Sequence, residues 1–253
     1  MSCAEPLTPS LVAVIVEPLQ VARELDDAIL HLRINELEIA MLLFKSHGDA
    51  ANVVACDTFL EANKAHWLVN EIRHYWKRVL KRIDVTSRTL VTLVEPGSCF
   101  AGTLAELVFA ADRSYMLIGS RQGDNRQPPA IQLTAMNFGP YPMCHGLTRL
   151  QSRFQADPSD LERAEATIGT TLDAEEAEEL GLVQHARQPP RRIVGEQQRE
   201  VLVQELRVVA IREPARAPRL VEAEPESVGV NLLAHSSLSE LTGLRIYEFT
   251  NLR

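Results

Sequence analysis

The sequence predicts a layered α/β fold in which at least part of the sheet is parallel. Two observations predict it. Compact apolar or β-branched runs at Glu38–Phe44 and Thr89–Val94 suit buried strands. Between and after them lie stretches whose apolar residues recur at three- and four-residue spacing, and strands alternating with such helices are the pattern of parallel βα units. The composition is compatible with this: 253 residues, 45% hydrophobic and 24% charged, suit one large domain with an appended piece.

The elements follow in order. Residues 1–18 are interrupted by prolines, and Leu11–Val16 reads as a short first strand. Leu19–Leu32 carries Val21, Leu25, Ala28 and Ile29 at helical spacing. After the Glu38–Phe44 strand, Ser46, His47, Gly48 and Asp49 form a turn, and Ala51–Arg82 reads as one long amphipathic helix. The Thr89–Val94 strand ends at Pro96 and Gly97. Gly102–Asp112 is the next helix, with Leu104, Leu107, Val108 and Ala111 on one face, and Tyr115–Ile118 the next strand. Beyond the polar loop Gly119–Pro129, Ala130–Thr134 is extended. Three helices are then expected at His145–Phe154, Asp157–Ala166 and Asp173–Leu180, the last stopped by Gly181. Residues 1–186 form the expected core. Residues 187–253 are a Pro-rich extension, helical at Gln197–Arg207, expected to pack in an oligomer.

The net charge of −8, without a Lys/Arg cluster large enough to follow a phosphate backbone, argues against a nucleic-acid partner. The apolar stretches Leu11–Val16 and Ala40–Phe44 are too short to cross a bilayer, and no basic segment precedes an apolar one at the start. Cys3, Cys56, Cys99 and Cys144 form no CxxC pair, so reduced thiols and a cytoplasmic location are expected. The seven histidines show no HxxxH or HExxH spacing, and no metal site is inferred.

Chemistry concentrates in Leu93–Asp112, a buried strand, a glycine-containing turn and a helix start. The first N–H groups of a helix have no internal partner and, with the helix dipole, favour negative charge in front of them. A thioester carbonyl placed there would be polarised and its enolate stabilised, by a few kcal/mol for donors of this kind. Glu106, one turn into the helix, would reach the acyl portion as a general acid or base. The alternative is structural, because acidic residues early in a helix also complement its dipole. His145, beside Cys144, and Tyr141 are possible pocket residues, each with a structural alternative. The stretch from Trp67 to Trp76 reads as a packed helix face.

Two segments carry a family resemblance. The first is the strand–turn–helix with Gly102, Glu106, Leu107 and Asp112; the second is Leu172–Val183, a helix followed by Gly-Leu-Val. Together they resemble the crotonase (enoyl-CoA hydratase/isomerase) superfamily. Over residues 22–185, phrases such as RIDVTSRTLVTLVEPGSCFAGTLAELVFAADRSYML and NFGPYPM are similar to the carboxy-terminal half of the benzoyl-CoA-dihydrodiol lyases. The resemblance implies a crotonase-like fold and an acyl thioester as substrate. The CoA or phosphopantetheine would be part of that substrate, with no separate cofactor. It also implies a homo-oligomer, whether dimer, trimer or hexamer. It makes Glu106 the acid/base and puts an oxyanion hole at Gly48 or Asp49 together with Gly102 and Thr103. Departures are visible. Thr103 and Leu104 stand where consecutive glycines are usual, Ala135 falls near the position of the second family glutamate, and the lyases carry their main glutamate pair in the other half. Two functions therefore stay open: a stand-alone lyase, hydratase or isomerase, and a catalytically inactive subunit that pairs with itself or with a catalytic partner.

Overall fold

The computed structural model describes residues 9–120, 123–187 and 244–247. Helix α1 runs Pro9–Asn35, so Leu11–Val16 is helix and not the expected strand; a short apolar run has no period long enough to separate the two. Strand β1 is Met41–Ser46 and α2 is Ala50–Ala62, whose first turn Asp49 caps by accepting from the Ala51 N–H at 2.9 Å. Helix α3 is Trp67–Asp84. The single helix expected over 51–82 is thus two, because local side chains take over the backbone groups at the break. Asn63 donates from its amide to the Phe59 carbonyl (2.9 Å), and His66 accepts from the Leu68 N–H (3.3 Å).

Strand β2 is Thr89–Val94, as expected, followed by α4 (Gly102–Ala110) and β3 (Arg113–Leu117). A two-residue strand β4 (Ile131–Gln132) pairs with β5 (Thr171–Leu172), and a 3-10 turn at Ala135–Phe138 follows β4. Helix α5 covers only Arg149–Arg153, because Thr148 and Gln151 form a capping box that sets its start four residues after His145. Helices α6 (Pro158–Ala166) and α7 (Ala174–Glu179) stand where predicted, and β6 (His185–Arg187) ends the core. Of the extension, Leu244–Tyr247 forms β7; the helix expected at Gln197–Arg207 lies outside the described residues.

The main sheet has the order β6-β3-β2-β1-β7. Its first four strands are mutually parallel, with Leu43 opposite Val91 and Leu93 opposite Tyr115, and β7 closes the β1 edge antiparallel. This is the layered, largely parallel α/β architecture read from the sequence. Side-chain alternation divides the strands: Leu42, Phe44, Leu90 and Val94 join the main core beneath the helices, whereas Leu43, Val91 and Leu93 cluster together with Met41 and Tyr115. Helix α4 is buried over all of Gly102–Phe109, which is why its sequence is apolar nearly all round. Helix α3 docks on α1, where the Trp76 indole N–H donates to the Pro18 carbonyl at 3.0 Å. No described helix is long and apolar enough to cross a membrane.

Candidate active site

The site predicted from sequence is the start of α4, and its backbone has the expected form. Gly97 and Gly102 turn the chain with φ of +82° and +42°. Ala101 at the N-cap has no side chain able to receive the free amides. A residue from elsewhere does so. The Asp57 carboxylate, reaching across from α2, accepts the Thr103 N–H at 2.8 Å, the Thr103 hydroxyl at 2.5 Å and the Thr134 hydroxyl at 2.8 Å. Asp57 is 2% exposed. It lies so close over Gly102 that a Cβ there would sit 1.7 Å from Oδ2. The helix N-terminus thus does attract an anion, as the electrostatics require, but the anion is part of the protein. Burial pushes the Asp57 carboxyl up to about 6, against the pull of its three hydrogen bonds.

Glu106 is 1% exposed and both its oxygens are engaged. Asn137 donates to Oε1 at 2.7 Å and Arg149 to Oε2 at 2.8 Å. Arg149 turns its Nε and Nη2 to Asp84 at 2.9 and 2.7 Å, so one buried guanidinium holds two carboxylates. Asn137 also donates to the Gly102 carbonyl at 2.8 Å, tying the 3-10 turn to the start of α4. Burial raises the Glu106 carboxyl, opposed by the Arg149 charge and by the hydrogen bonds from Asn137 and Arg149.

The remaining predicted residues divide. Gly102, Thr103, Glu106 and Tyr141 are brought together, the Tyr141 hydroxyl standing 3.2 Å from the Thr103 hydroxyl in the interior. Gly48 donates its N–H to the Gly97 carbonyl at 3.1 Å, and the Asp49 side chain caps α2. His145 is exposed, its Nδ1 accepting from the Leu147 N–H at 3.2 Å, because α5 begins after it. Ala135 is exposed at the first position of the 3-10 turn; its neighbour Asn137 is the residue that faces Glu106. Sequence reading missed Asp57, Thr134, Asn137, Arg149 and Asp84. For Asp57 a signal existed: with Val53 and Leu60 it shares the buried face of α2, a carboxylate at core spacing. Beside Asp57 is a void of about 30 Å³ bordered by Glu17, Cys56, Trp76 and Thr103, with Glu17 Oε1 buried and lacking a partner. That space is a small fraction of the roughly 300 Å³ at which small-ligand cavities begin. Among the described residues no group of three or more His, Cys, Asp or Glu is placed to hold a metal ion.

No family model matches the chain. Over 166 residues, 66% of its length, it is 47% identical to benzoyl-CoA-dihydrodiol lyase of Aromatoleum evansii. The chain is a relative of that lyase. It spans 29% of the lyase's length. Among solved structures it is similar to enoyl-CoA hydratase from Bacillus halodurans, at 16% identity and a TM-score of 0.46, covering 74% of this chain and 68% of that one. It is also similar to Pseudomonas aeruginosa AtuE, at 19% identity and a TM-score of 0.43, covering 76% and 68%. The lyase resemblance read from RIDVTSRTLVTLVEPGSCFAGTLAELVFAADRSYML is therefore matched by a curated protein, and at an identity well above that of the structural neighbours.

Proposed function

We propose that this chain is a crotonase-fold subunit of acyl-thioester lyase chemistry that does not itself catalyse. It would work in the cytoplasm, with its 1–186 core pairing with a second copy or with a catalytic partner. In this reading the acyl thioester, with its CoA or phosphopantetheine arm, is bound by the partner. One observation carries it: the Thr103 N–H and both oxygens of Glu106 are occupied by internal partners, Asp57 in the first case and Asn137 with Arg149 in the second. A thioester oxygen at Thr103 would have to displace a buried carboxylate. A proton donor at Glu106 would have to leave an ion pair that is 1% exposed on both sides. Ala135, near which the second family glutamate falls, transfers no proton.

A stand-alone lyase, hydratase or isomerase is the second reading. It is favoured by Glu106 itself, which lies at the family position with its carboxyl raised by burial, the direction a general acid needs. Its oxyanion donors would be the N–H groups of Thr103 and of Gly48 or Asp49.

Assay of the purified chain against crotonyl-CoA and dearomatised benzoyl-CoA esters separates the two. We expect no turnover above background and no change on Glu106→Gln. Turnover that Glu106→Gln abolishes while the melting profile is kept would overturn the subunit reading. Light scattering is expected to find an oligomer or a stable complex with a crotonase-fold partner; a monomer that binds neither copy nor partner would also overturn it.

A further inference from the structure

We propose that the cleft over the carboxy-terminal half of α3 binds a small anion carrying linked phosphates, of the pyrophosphate class. The hollow has a volume of about 380 Å³, and its lining includes His74, Lys77, Arg78, Lys81 and Arg82 together with Cys144. It lies outside the α4 cluster, so its ligand is independent of whether Glu106 catalyses.

The spacing assembles the charge. Lys77 and Arg78 stand three and four residues after His74, and Lys81 and Arg82 four residues after Lys77 and Arg78, so the five share one face of the helix. Like charges at that spacing repel, by about 0.2–0.5 kcal/mol per pair, and here two such pairs, Lys77 with Lys81 and Arg78 with Arg82, stand side by side. Complementing the helix dipole accounts for Lys81 and Arg82 in the last turn. It does not account for Lys77 and Arg78, because the dipole's influence falls off within one turn.

The charges are cancelled only in part, although Lys81 still acts on Asp84. Asp84, on the same helix end, is turned inward onto Arg149. Arg82 pairs with Asp26 of α1, and Arg78 lies over the Tyr75 ring at 5.1 Å. Among the described residues Lys77 and Lys81 make no ion pair within 4.0 Å. An open, cationic hollow is thus maintained on a chain whose net charge is −8. The volume lies at the small end of ligand cavities, which run from roughly 300 to 1,000 Å³. The lysines and arginines, Lys77 to Arg82, extend over about 7.5 Å of helix at 1.5 Å per residue. That length suits two linked phosphates better than one.

Isothermal titration of the full chain with inorganic pyrophosphate, orthophosphate and an oligo-glutamate peptide tests the proposal. Pyrophosphate is expected to bind, with orthophosphate weaker by about tenfold or more, since each added phosphate brings charge-assisted hydrogen bonds. Replacing both lysines (Lys77→Gln with Lys81→Gln) keeps their aliphatic stems and should weaken pyrophosphate by about tenfold or more. Lys77→Gln alone should give a smaller loss of the same sign, and Arg163→Ala on distant α6 no change. Absence of pyrophosphate binding overturns the proposal. So does equal weakening by Arg163→Ala, or binding of the peptide at this face in preference to pyrophosphate.

Discussion

Asp57 and Glu106 are two buried carboxylates at the same end of α4, and they are compensated in opposite ways. Asp57 meets only neutral donors: one backbone N–H and two hydroxyls. Glu106 meets a guanidinium that it shares with Asp84, and an amide. Neutral donors stabilise the anion without cancelling its charge, so desolvation wins and the Asp57 carboxyl is held near 6. A buried cation binds its carboxylates by charge and geometry, and removing it strands them. Burial raises the Glu106 carboxyl as well; what sets the second cluster apart is its shared guanidinium, which staples α3, α4 and α5 together.

The comparison breaks most directly at Arg149. Arg149→Met leaves Glu106 and Asp84 buried without a counter-charge and should cost about 3–5 kcal/mol in urea unfolding at neutral pH. A loss below about 1 kcal/mol would mean that the two carboxylates are already neutral in the folded state.

The pH response comes next in size. Burial pushes the Asp57 carboxyl up to about 6 from its ordinary value of 3.8, so the folded state keeps its proton longer than the unfolded chain does. Its contribution is then fully present below pH ~4, is lost as pH rises towards 6, and stays constant above that. Two units correspond to roughly 3 kcal/mol. Asp57→Asn should remove that step, so the difference between mutant and parent stability should change between pH 4 and pH 7. An identical difference at both pH values would show that Asp57 titrates normally.

Gly102→Ala sharpens the steric side of the same cluster. Its methyl would meet Asp57 Oδ2 at 1.7 Å and Thr134 Oγ1 at 2.7 Å, at a φ of +42°. We expect a loss of about 1–3 kcal/mol, the cost of overpacking, and a smaller loss in an Asp57→Ala background; equal losses in both would place the strain elsewhere. The smallest effect should be Arg163→Ala. Its pair with Asp160 is on the surface, and its loss should move stability by about 0.5 kcal/mol or less.

Sequence reading was sound where a signal is local. Strand Thr89–Val94, the turn at Pro96–Gly97 and helix α7 before Gly181 each announce themselves within a few residues, and the structure has them. It failed at Leu11–Val16 and at the Asn63–His66 break, where one window supports two structures or where capping interrupts a continuous period. At the candidate site it named Gly102, Thr103, Glu106 and Tyr141, which the structure brings close together, yet not what surrounds them. The partners are 46, 31 and 43 residues away: Asp57 from Thr103, and Asn137 and Arg149 from Glu106. Nothing near Gly102 in the chain points to them.

By itself the sequence determined that α4 would be a buried helix with bare amides at its start, because apolar period, glycine turn and unsatisfied N–H groups are all properties of one short segment. Only the tertiary structure decided what those amides hold. Burying a carboxylate requires donors converging from several elements at once, and α2, α4 and the segment before the 3-10 turn bring Asp57, Thr103 and Thr134 together only after the chain has folded.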